Sequence, residues 1–374
     1  MGPADDPAAA EPPSPTFLER LARRADPDGF VPFDRFMELA LYDPDVGFYA
    51  RASSPLGPDG DFYTAPAVHP LFARTLATRL RAALDALPAG GPRRIVELGP
   101  GDGRLAEGIL RAIGAGAADE YVLVERSEPL ARRALDRSAP SGETAGIRVR
   151  RAPSISTDGP GAGAVVANEL LDALPARRLR FTGERWVELG VRADRDRLTA
   201  AEGPLRDPVP PPSLPSHPDP GTVLEFSSTA EGLVREVADH LTLGLFLVID
   251  YGMSEPELLA GHPRGTLEAI RHHRPVADPL AAPGSADLSV FVNFDRLRTA
   301  ARAAGWQEVA FRSQAEALGA WGFPERFAEA LRAARTSEEE VRLRLAAKNL
   351  LFGFERFRAL ELATPGSGGA RSSG

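Results

Sequence analysis

From residue 93 onward, short apolar runs alternate with longer stretches in which apolar residues recur every three or four positions. Short apolar runs bounded by turn formers are typical of buried strands, and three-to-four spacing is typical of amphipathic helices. The pattern predicts strands at residues 95–98, 121–125, 147–149, 164–168 and 245–250. It predicts helices at residues 18–24, 33–42, 68–87 and 104–113, from 129 onward, and at 229–241. This alternation indicates an α/β fold with a mostly parallel sheet and helices on both faces.

Two stretches interrupt the alternation and are predicted to be insertions. Residues 179–201 alternate polar and apolar side chains, which predicts antiparallel strands, and a proline-rich connection follows at 208–220. Residues 253–293 are polar and irregular, and loops of that length are usually functional or disordered. The predicted organisation begins with a disordered tail at 1–15 and an N-terminal helical segment at 16–90. A core at 91–252 and 294–363 follows, with a strand insertion at about 178–221 and an acceptor-side insertion at 253–293. A disordered tail is predicted at 364–374.

One predicted strand ends in an acid and runs through glycines into a helix. Glycines at such a turn let the backbone approach a ligand, and the start of the helix offers free N–H groups. A dinucleotide site of the G-x-G-x-x-G type would need glycine at position 104, where Arg104 stands. The E-x-G-x-G-x-G spacing of Glu97, Gly99, Gly101 and Gly103 is instead the pattern of methyltransferases that use S-adenosylmethionine (SAM).

Glu125 ends the next predicted strand, 22 residues after Gly103, where an acid can accept hydrogen bonds from ribose hydroxyls. The alternative is a glycine turn that only joins strand to helix, with Glu125 as a solvated strand end. Asp61 and Thr64, in the turn-rich segment 60–66, could close over the cofactor, although an Asp-capped turn explains them equally well. The predicted SAM-binding residues are Glu97, Gly99, Pro100, Gly101, Gly103, Glu125, Asp61 and Thr64.

The segment Asn168-Glu169-Leu-Leu-Asp172 directly follows an apolar strand and is predicted to carry the methyl-transfer chemistry. In open α/β sheets the carboxyl ends of strands face the ligand crevice, so Asn168, Glu169 and Asp172 would lie near the methyl donor. If the acceptor is an arginine side chain, paired carboxylates can hold its planar guanidinium. The alternative is a polar turn in which Asp172 caps the next helix.

Composition narrows the partners. The absence of cysteine excludes disulfides and thiolate metal sites, and the acids are not spaced as a metal cage, so no metal is predicted. A net charge of −8 argues against a nucleic-acid partner, and no apolar run is long enough to span a bilayer. The amino-terminal residues are acidic and proline-rich, without the features of a signal or transit peptide, which predicts a cytoplasmic protein.

The chain resembles the MidA family of SAM-dependent methyltransferases over about residues 33–360, in several ordered segments. The matching segments are 41–42 with 47–49, 60–66, 96–101, 124–125, 168–175, 250–252 and 283–289. The resemblance implies a class I, Rossmann-like methyltransferase sheet in which Gly99, Gly101 and Glu125 bind SAM, and Glu169 and Asp172 lie at the transfer site. Mitochondrial members of the family make symmetric dimethylarginine on a core subunit of respiratory complex I.

This chain departs from the family pattern mainly on the predicted acceptor side. The departures are Ala67 for the usual Glu, Glu268 for Arg, Ile270 for an aromatic residue, and Phe291 and Asn293 at positions usually polar or acidic. The predicted activity is methyl transfer from SAM to a protein arginine side chain, with a respiratory-complex subunit as one candidate partner. A methyltransferase of a small metabolite and a catalytically silent assembly factor are the alternatives, and the oligomeric state is left open.

Overall fold

The computed structural model describes residues 13–50, 69–194, 197–206, 214–216, 218–271, 274–281 and 283–366. The helices are α1 (Pro15–Ala22), α2 (Phe33–Tyr42), α3 (Pro70–Asp85), α4 (Arg104–Ala112), α5 (Glu128–Ala145), α6 (Ser228–His240), α7 (Glu255–Gly261), α8 (Phe294–Ala303), α9 (Gln314–Ala320), α10 (Phe323–Ala333) and α11 (Ser337–Phe352). The strands are β1 (Val31–Pro32), β2 (Arg93–Leu98), β3 (Glu120–Val124), β4 (Arg148–Ala152), β5 (Gly161–Asn168), β6 (Arg177–Phe181), β7 (Trp186–Asp194), β8 (Arg197–Gly203), β9 (Val223–Phe226), β10 (Leu241–Met253), β11 (Glu268–Arg271), β12 (Arg274–Pro275), β13 (Asp287–Ser289), β14 (Val292–Asn293), β15 (Gln307–Ser313) and β16 (Phe357–Ala363).

The main sheet has the order β15-β16-β10-β5-β2-β3-β4, and β14 adds to the end of β10. The pairs from β10 through β4 are parallel, whereas β16 runs antiparallel to both β10 and β15. The prediction of an α/β fold with a mostly parallel sheet is therefore confirmed. Strand order reverses between β2 and β5, and ligands of open α/β sheets bind at the carboxyl ends of strands beside such a reversal.

Two apolar layers cover the two faces of the main sheet. Strand β10 lies between them, which explains why its sequence is a continuous apolar run. Leu245, Leu247 and Ile249 face a layer that contains side chains of α3, α4 and α9–α11. Phe246 and Val248 face the other layer, with side chains of α6 and α8. A parallel strand buried on both faces must be apolar at every position, because successive side chains point to opposite faces.

A second sheet joins the N-terminal segment to the predicted strand insertion. Strands β6, β7 and β8 pair antiparallel in sequence order, which confirms the prediction from the period-two pattern at 179–201. Strand β9 extends the sheet beyond residue 221, and β1 of the N-terminal segment pairs with β7 through Val31 and Val191. Side chains of α1, α2 and this sheet share a separate apolar core, which anchors α2 beside the main sheet.

Several expectations for local structure were wrong. Residues 253–293 are not irregular throughout, since they contain α7 and the antiparallel strands β11, β12 and β13. These strands have two to four residues, too few for a period-two pattern to be recognised. The ordered chain also extends into both predicted tails. Pro15 begins α1 and Ser14 caps it, and the backbone N–H of Gly244 donates to Thr364 Oγ1 at 2.9 Å.

Candidate active site

A cleft opens at the carboxyl ends of β2, β3 and β5, beside the reversal of strand order. It encloses about 960 Å³, counting space open to solvent, which is within the ~300–1,000 Å³ usual for small-molecule sites. The wall contains predicted site residues from three strand ends, together with aromatic side chains from the N-terminal segment. The lining residues are Tyr42, Tyr49, Leu98, Gly99, Gly101, Val124, Glu125, Arg126, Leu130, Pro153, Ser154, Ile155, Glu169, Leu170, Ala173, Leu174, Leu233 and Glu236.

The glycine loop needs its glycines for backbone conformation and for space. Gly99, Gly101 and Gly103 have φ of +66°, +54° and +81°, in the left-handed region that side chains disfavour. A Cβ on Gly99 would lie 2.7 Å from Leu170 Cδ1, and one on Gly103 would lie 2.7 Å from Ala134 Cα of α5. The loop is therefore pressed against two neighbouring elements while its backbone borders the cleft.

Pro100 and Glu97 support the glycine loop from inside the protein. The Pro100 carbonyl accepts a hydrogen bond from the Gly103 N–H at 2.9 Å, which tightens the turn before α4. Glu97 is 2% exposed and lies outside the cleft lining, and its Oε2 accepts a hydrogen bond from the Tyr121 hydroxyl at 2.6 Å. Burial raises the pKa of Glu97 to about 7, although the Tyr121 hydrogen bond opposes that rise.

Glu125 follows β3 and lines the cleft beside the glycine loop. Its Oε1 accepts a hydrogen bond from the Ser127 N–H at 2.9 Å, and the Gly101 backbone N–H also donates to its carboxylate. Burial raises the pKa of Glu125 to about 7 against these hydrogen bonds. The structure thus brings together Glu125 and Gly101, two of the residues predicted to bind SAM. Asp61 and Thr64, also predicted to bind SAM, lie outside the described residues.

A strained turn follows β5 and carries the residues predicted for methyl transfer. Glu169 has φ of +53°, the single positive value among non-glycine residues in the described ranges. The Asp250 carboxylate at the end of β10 stabilises this turn, because its Oδ2 accepts hydrogen bonds from the N–H groups of Leu170 (3.0 Å) and Leu171 (2.7 Å). Asn168 Nδ2 donates to Glu169 Oε1 at 3.2 Å, and Asn168 Oδ1 is buried with no hydrogen-bond partner in the described chain.

Four carboxylates meet on one side of the cleft. Burial raises the pKa of Asp172 well above its ordinary value, and the charges of Asp250, Asp287 and Glu169 raise it further. Asp287 belongs to β13 of the second insertion, and both of its oxygens accept from the Tyr49 hydroxyl, at 2.9 and 3.0 Å. The crowding of like charges makes this a site suited to a cation. We refer to Glu169, Asp172, Asp250 and Asp287 as the carboxylate cluster.

Two stacked tyrosines adjoin the carboxylate cluster. The rings of Tyr42 and Tyr49 lie 5.5 Å apart at an interplanar angle of 27°, and the Tyr42 hydroxyl donates to the Ala173 carbonyl at 2.9 Å. The Arg126 guanidinium lies 4.4 Å from the centre of the Tyr42 ring and pairs with Glu38 at 2.7 Å. These contacts fix α2 and the residues after it against the cleft.

Comparison with known proteins decides the class of chemistry. A family model for S-adenosyl-L-methionine-dependent methyltransferases matches residues 72–311, which include both the glycine loop and the carboxylate cluster. The chain belongs to this family. The resemblance to the MidA family, SAM as cofactor and the class I methyltransferase fold are thereby confirmed, and the protein is a SAM-dependent methyltransferase.

Individual relatives agree with the family. The methyltransferase is 30% identical to a Burkholderia thailandensis protein bound to S-adenosyl-homocysteine, with a TM-score of 0.81 and 95% of each chain covered. It is 28% identical to the human protein arginine methyltransferase NDUFAF7, mitochondrial, over 78% of this chain and 70% of that one. It is 27% identical to the Drosophila melanogaster homologue, over 74% of this chain and 68% of that one.

The same relatives correct the predicted location. The human, fly and zebrafish proteins are all named as mitochondrial, which contradicts a cytoplasmic assignment. That assignment rested only on the composition of the first residues, and the absence of leader features there does not determine where a protein resides. Within the described residues, no helix of the methyltransferase is long and apolar enough to cross a membrane, and no three His, Cys, Asp or Glu side chains form a group suited to a metal ion.

The departures from the family pattern have structural roles where the structure describes them. Phe291 packs edge-on against Tyr251 and His262, at ring-centre distances of 4.1 and 4.9 Å. Asn293 caps α8, and its Nδ2 donates to Glu255 Oε2 at 2.8 Å. On β11, Glu268 is exposed and Ile270 is half-buried, and Ala67 lies outside the described ranges. These positions do not belong to the carboxylate cluster.

Four residues of the cleft wall and the carboxylate cluster are not among the predicted site residues. They are Tyr42, Tyr49, Asp250 and Asp287. Each lies in a segment that matched the family, but the sequence contains no spacing signal that would join positions so far apart. The matched segments were therefore the available signal, since each of these side chains lies within one of them.

Proposed function

We propose that the methyltransferase transfers the methyl group of SAM to the guanidinium of an arginine side chain in a protein. The observation that supports this most strongly is the carboxylate cluster beside the cofactor cleft, in which burial and then neighbouring like charges raise the pKa of Asp172. A guanidinium remains protonated at any physiological pH and presents five N–H donors in a plane, so it satisfies several carboxylates at once.

The donor half of the cleft fits SAM. Gly99 and Gly101 line the cleft with backbone conformations that side chains disfavour, and in this proposal the Glu125 carboxylate accepts hydrogen bonds from the ribose hydroxyls. We assign SAM binding to Gly99, Gly101 and Glu125, with Glu97, Pro100 and Gly103 holding the loop in shape. When bound, SAM supplies an electrophilic methyl group.

The acceptor half performs three tasks in this proposal. Asp172 and Glu169 bind the guanidinium and hold one nitrogen in line for attack, and such positioning accounts for most of the catalysis in a displacement reaction. Asp250 keeps the turn that carries them in its strained conformation through the N–H groups of Leu170 and Leu171. After transfer, a carboxylate of the cluster takes up the proton that leaves the nitrogen. Asn168 orients Glu169 through the hydrogen bond between their side chains.

The names of the relatives support a protein acceptor. The relatives from human and fly are named protein arginine methyltransferases, although they share only 28% and 27% identity with this chain. We infer that the partner is a polypeptide that places an extended arginine into the cleft between the tyrosines and the carboxylate cluster. A respiratory-complex subunit is the partner that the family resemblance suggests.

Matched peptides test this function. Peptides that contain one arginine, and otherwise identical peptides with lysine or citrulline in its place, would be incubated with the enzyme and SAM tritiated on the methyl group. We expect label only in the arginine peptides, since lysine lacks the planar fork of donors and citrulline lacks the charge. Label that appears in small molecules of a cell extract but in no protein would contradict the proposal. Tight SAM binding without any transfer would indicate a silent assembly factor.

A further inference from the structure

Helix α11 exposes an apolar stripe along its outer face. Val341, Leu345 and Phe352 are 55%, 55% and 66% exposed, and together with Lys348 they fall within an arc of about 60° around the helix. Large exposed side chains scattered singly are ordinary, but an aligned set of this kind marks an interaction surface. The opposite face of α11 is already used, since Leu343, Ala347 and Leu350 are buried in the core.

The charges beside the stripe are divided along the helix. Glu338, Glu339 and Glu340 form its first turn, and the basic residues Arg342, Arg344 and Lys348 follow. The ion pairs within the helix are long and exposed, at 3.5 Å for Arg342–Glu338 and 3.9 Å for Arg344–Glu340, so they restrain these charges little. Lys348 forms no ion pair with any residue that the structure describes. Along the exposed face, Glu338 therefore precedes the apolar pair Val341 and Leu345, Lys348 follows that pair, and Phe352 lies one turn beyond Lys348.

We propose that this face of α11 binds the same face of a second copy of the chain in antiparallel orientation. In an interface with twofold symmetry, one patch must complement itself. An acidic residue before the apolar pair and a basic residue after it meet that requirement only when the helices run in opposite directions. With the twofold axis at the level of Leu343, Val341 faces Leu345 of the second copy and Glu338 faces its Lys348. A parallel arrangement would set the acidic ends against each other. This inference is independent of the proposed arginine acceptor.

Sedimentation velocity on the full chain tests the interface, at concentrations up to about 100 µM, where even small interfaces associate. We expect a concentration-dependent dimer in the wild type and a dissociation constant raised at least about tenfold in Leu345→Glu. Val309→Glu is the matched control, because Val309 is 46% exposed on β15, away from the stripe. None of these residues lines the cleft, so SAM affinity should be equal in all three proteins and reports that each is folded.

Lys348 is the only lysine of the chain, which allows its neighbours to be identified by zero-length cross-linking with a carbodiimide. Within one helix, Lys348 and Glu338 are about 15 Å apart, too far for such a link. A linked peptide that joins Lys348 to Glu338 in the dimer band, absent from Lys348→Arg, is therefore the expected result. A monomer at about 100 µM, whether the stripe is bare or covered by residues 367–374, would overturn the proposal. A dimer that Leu345→Glu leaves intact, or one in which Lys348 links only elsewhere, would also overturn it.

Discussion

The donor side of the cleft comes from two consecutive strand ends within about 30 residues of chain, whereas the acceptor side is assembled from four distant segments. Residues 97–103 and Glu125 belong to neighbouring strands β2 and β3 and the loops that follow them. On the acceptor side, Tyr49 and Asp287 share a hydrogen bond although 238 positions separate them. Local geometry can be recognised in a sequence because the contacting residues are close along the chain. Contacts between remote residues exist only after folding, so no local pattern reports them.

The largest effect is expected on the donor side, from Gly101→Val. A β-branched residue at φ of +54° is strained, and the strain would shift the backbone with which Gly101 lines the cleft. We expect the dissociation constant for SAM to rise about 1,000-fold, or ~4 kcal/mol, by isothermal titration. Gly116→Val is the matched control, because Gly116 has φ of +65° with open space around it. If Gly101→Val folds and binds SAM with normal affinity, the glycine loop is not part of the SAM-binding site.

On the acceptor side, Asp172→Asn should separate the two functions of the cleft. The amide keeps the size of the side chain but loses the charge that faces the acceptor. We expect kcat/KM for an arginine peptide to fall about 100-fold, ~2.7 kcal/mol, while SAM affinity stays unchanged. Asp85→Asn, at an exposed ion pair on α3, serves as the control. Equal turnover in Asp172→Asn and wild type would make Asp172 a structural residue.

The pH dependence of kcat/KM also tests the acceptor side, because the charge of the arginine acceptor does not change over the pH range used. Burial and neighbouring carboxylates raise the pKa of Asp172, and burial raises that of Asp250 to about 6. Because the guanidinium stays cationic, acceptor binding should strengthen as these carboxylates ionise. We expect kcat/KM to rise with pH between 5.5 and 8.5, by at most about tenfold per unit for each group that ionises. Asp172→Asn should flatten this rise. A profile of the same shape in both proteins would show that a group other than Asp172 titrates in this range.

Asp250→Asn probes the support beneath the acceptor side. One of its two carboxylate oxygens accepts from the Leu170 and Leu171 N–H groups, and an amide in its place accepts less strongly. Loss of charge from these bonds should lower the free energy of unfolding by about 1–2 kcal/mol, measured by urea denaturation. We expect kcat to fall about tenfold with little change in KM for SAM, because the turn shifts while the donor loop does not. A purely structural role would lower stability and leave kcat unchanged.

The smallest effect is expected from Glu97→Gln, beneath the donor loop. Because the folded pKa of about 7 lies above the ordinary 4.5, Glu97 contributes stability that is complete below 4.5 and lost as pH rises through 7. Wild type should therefore lose about 1 kcal/mol more than the variant between pH 6 and 8. Urea denaturation at the two pH values measures the difference. An identical pH dependence in both proteins would show that Glu97 does not ionise in this range.

The contrast between the two sides also explains what the sequence could predict. The strand, glycine loop and helix around residues 95–113 were predicted within two residues, because turn formers and apolar spacing bound them. Helix α3 was predicted at 68–87 and is described at Pro70–Asp85. Strands β15 and β16 and helices α9–α11 gave no prediction, and the register that pairs β16 with β10 depends on contacts across more than 100 positions. Glu169 and Asp172 were predicted because they directly follow an apolar strand. Asp250 and Asp287 join them only through the fold and were not among the predicted site residues.

The central claim is that the carboxylate cluster serves an arginine side chain. Its most direct test is to label proteins of a cell extract with tritiated SAM and the purified enzyme, hydrolyse them in acid, and separate the methylated amino acids. The account predicts radioactivity in methylarginines, lost in Asp172→Asn and retained in Asp85→Asn. Radioactivity in methyllysine, in methyl esters released by base, or in small metabolites alone would contradict it.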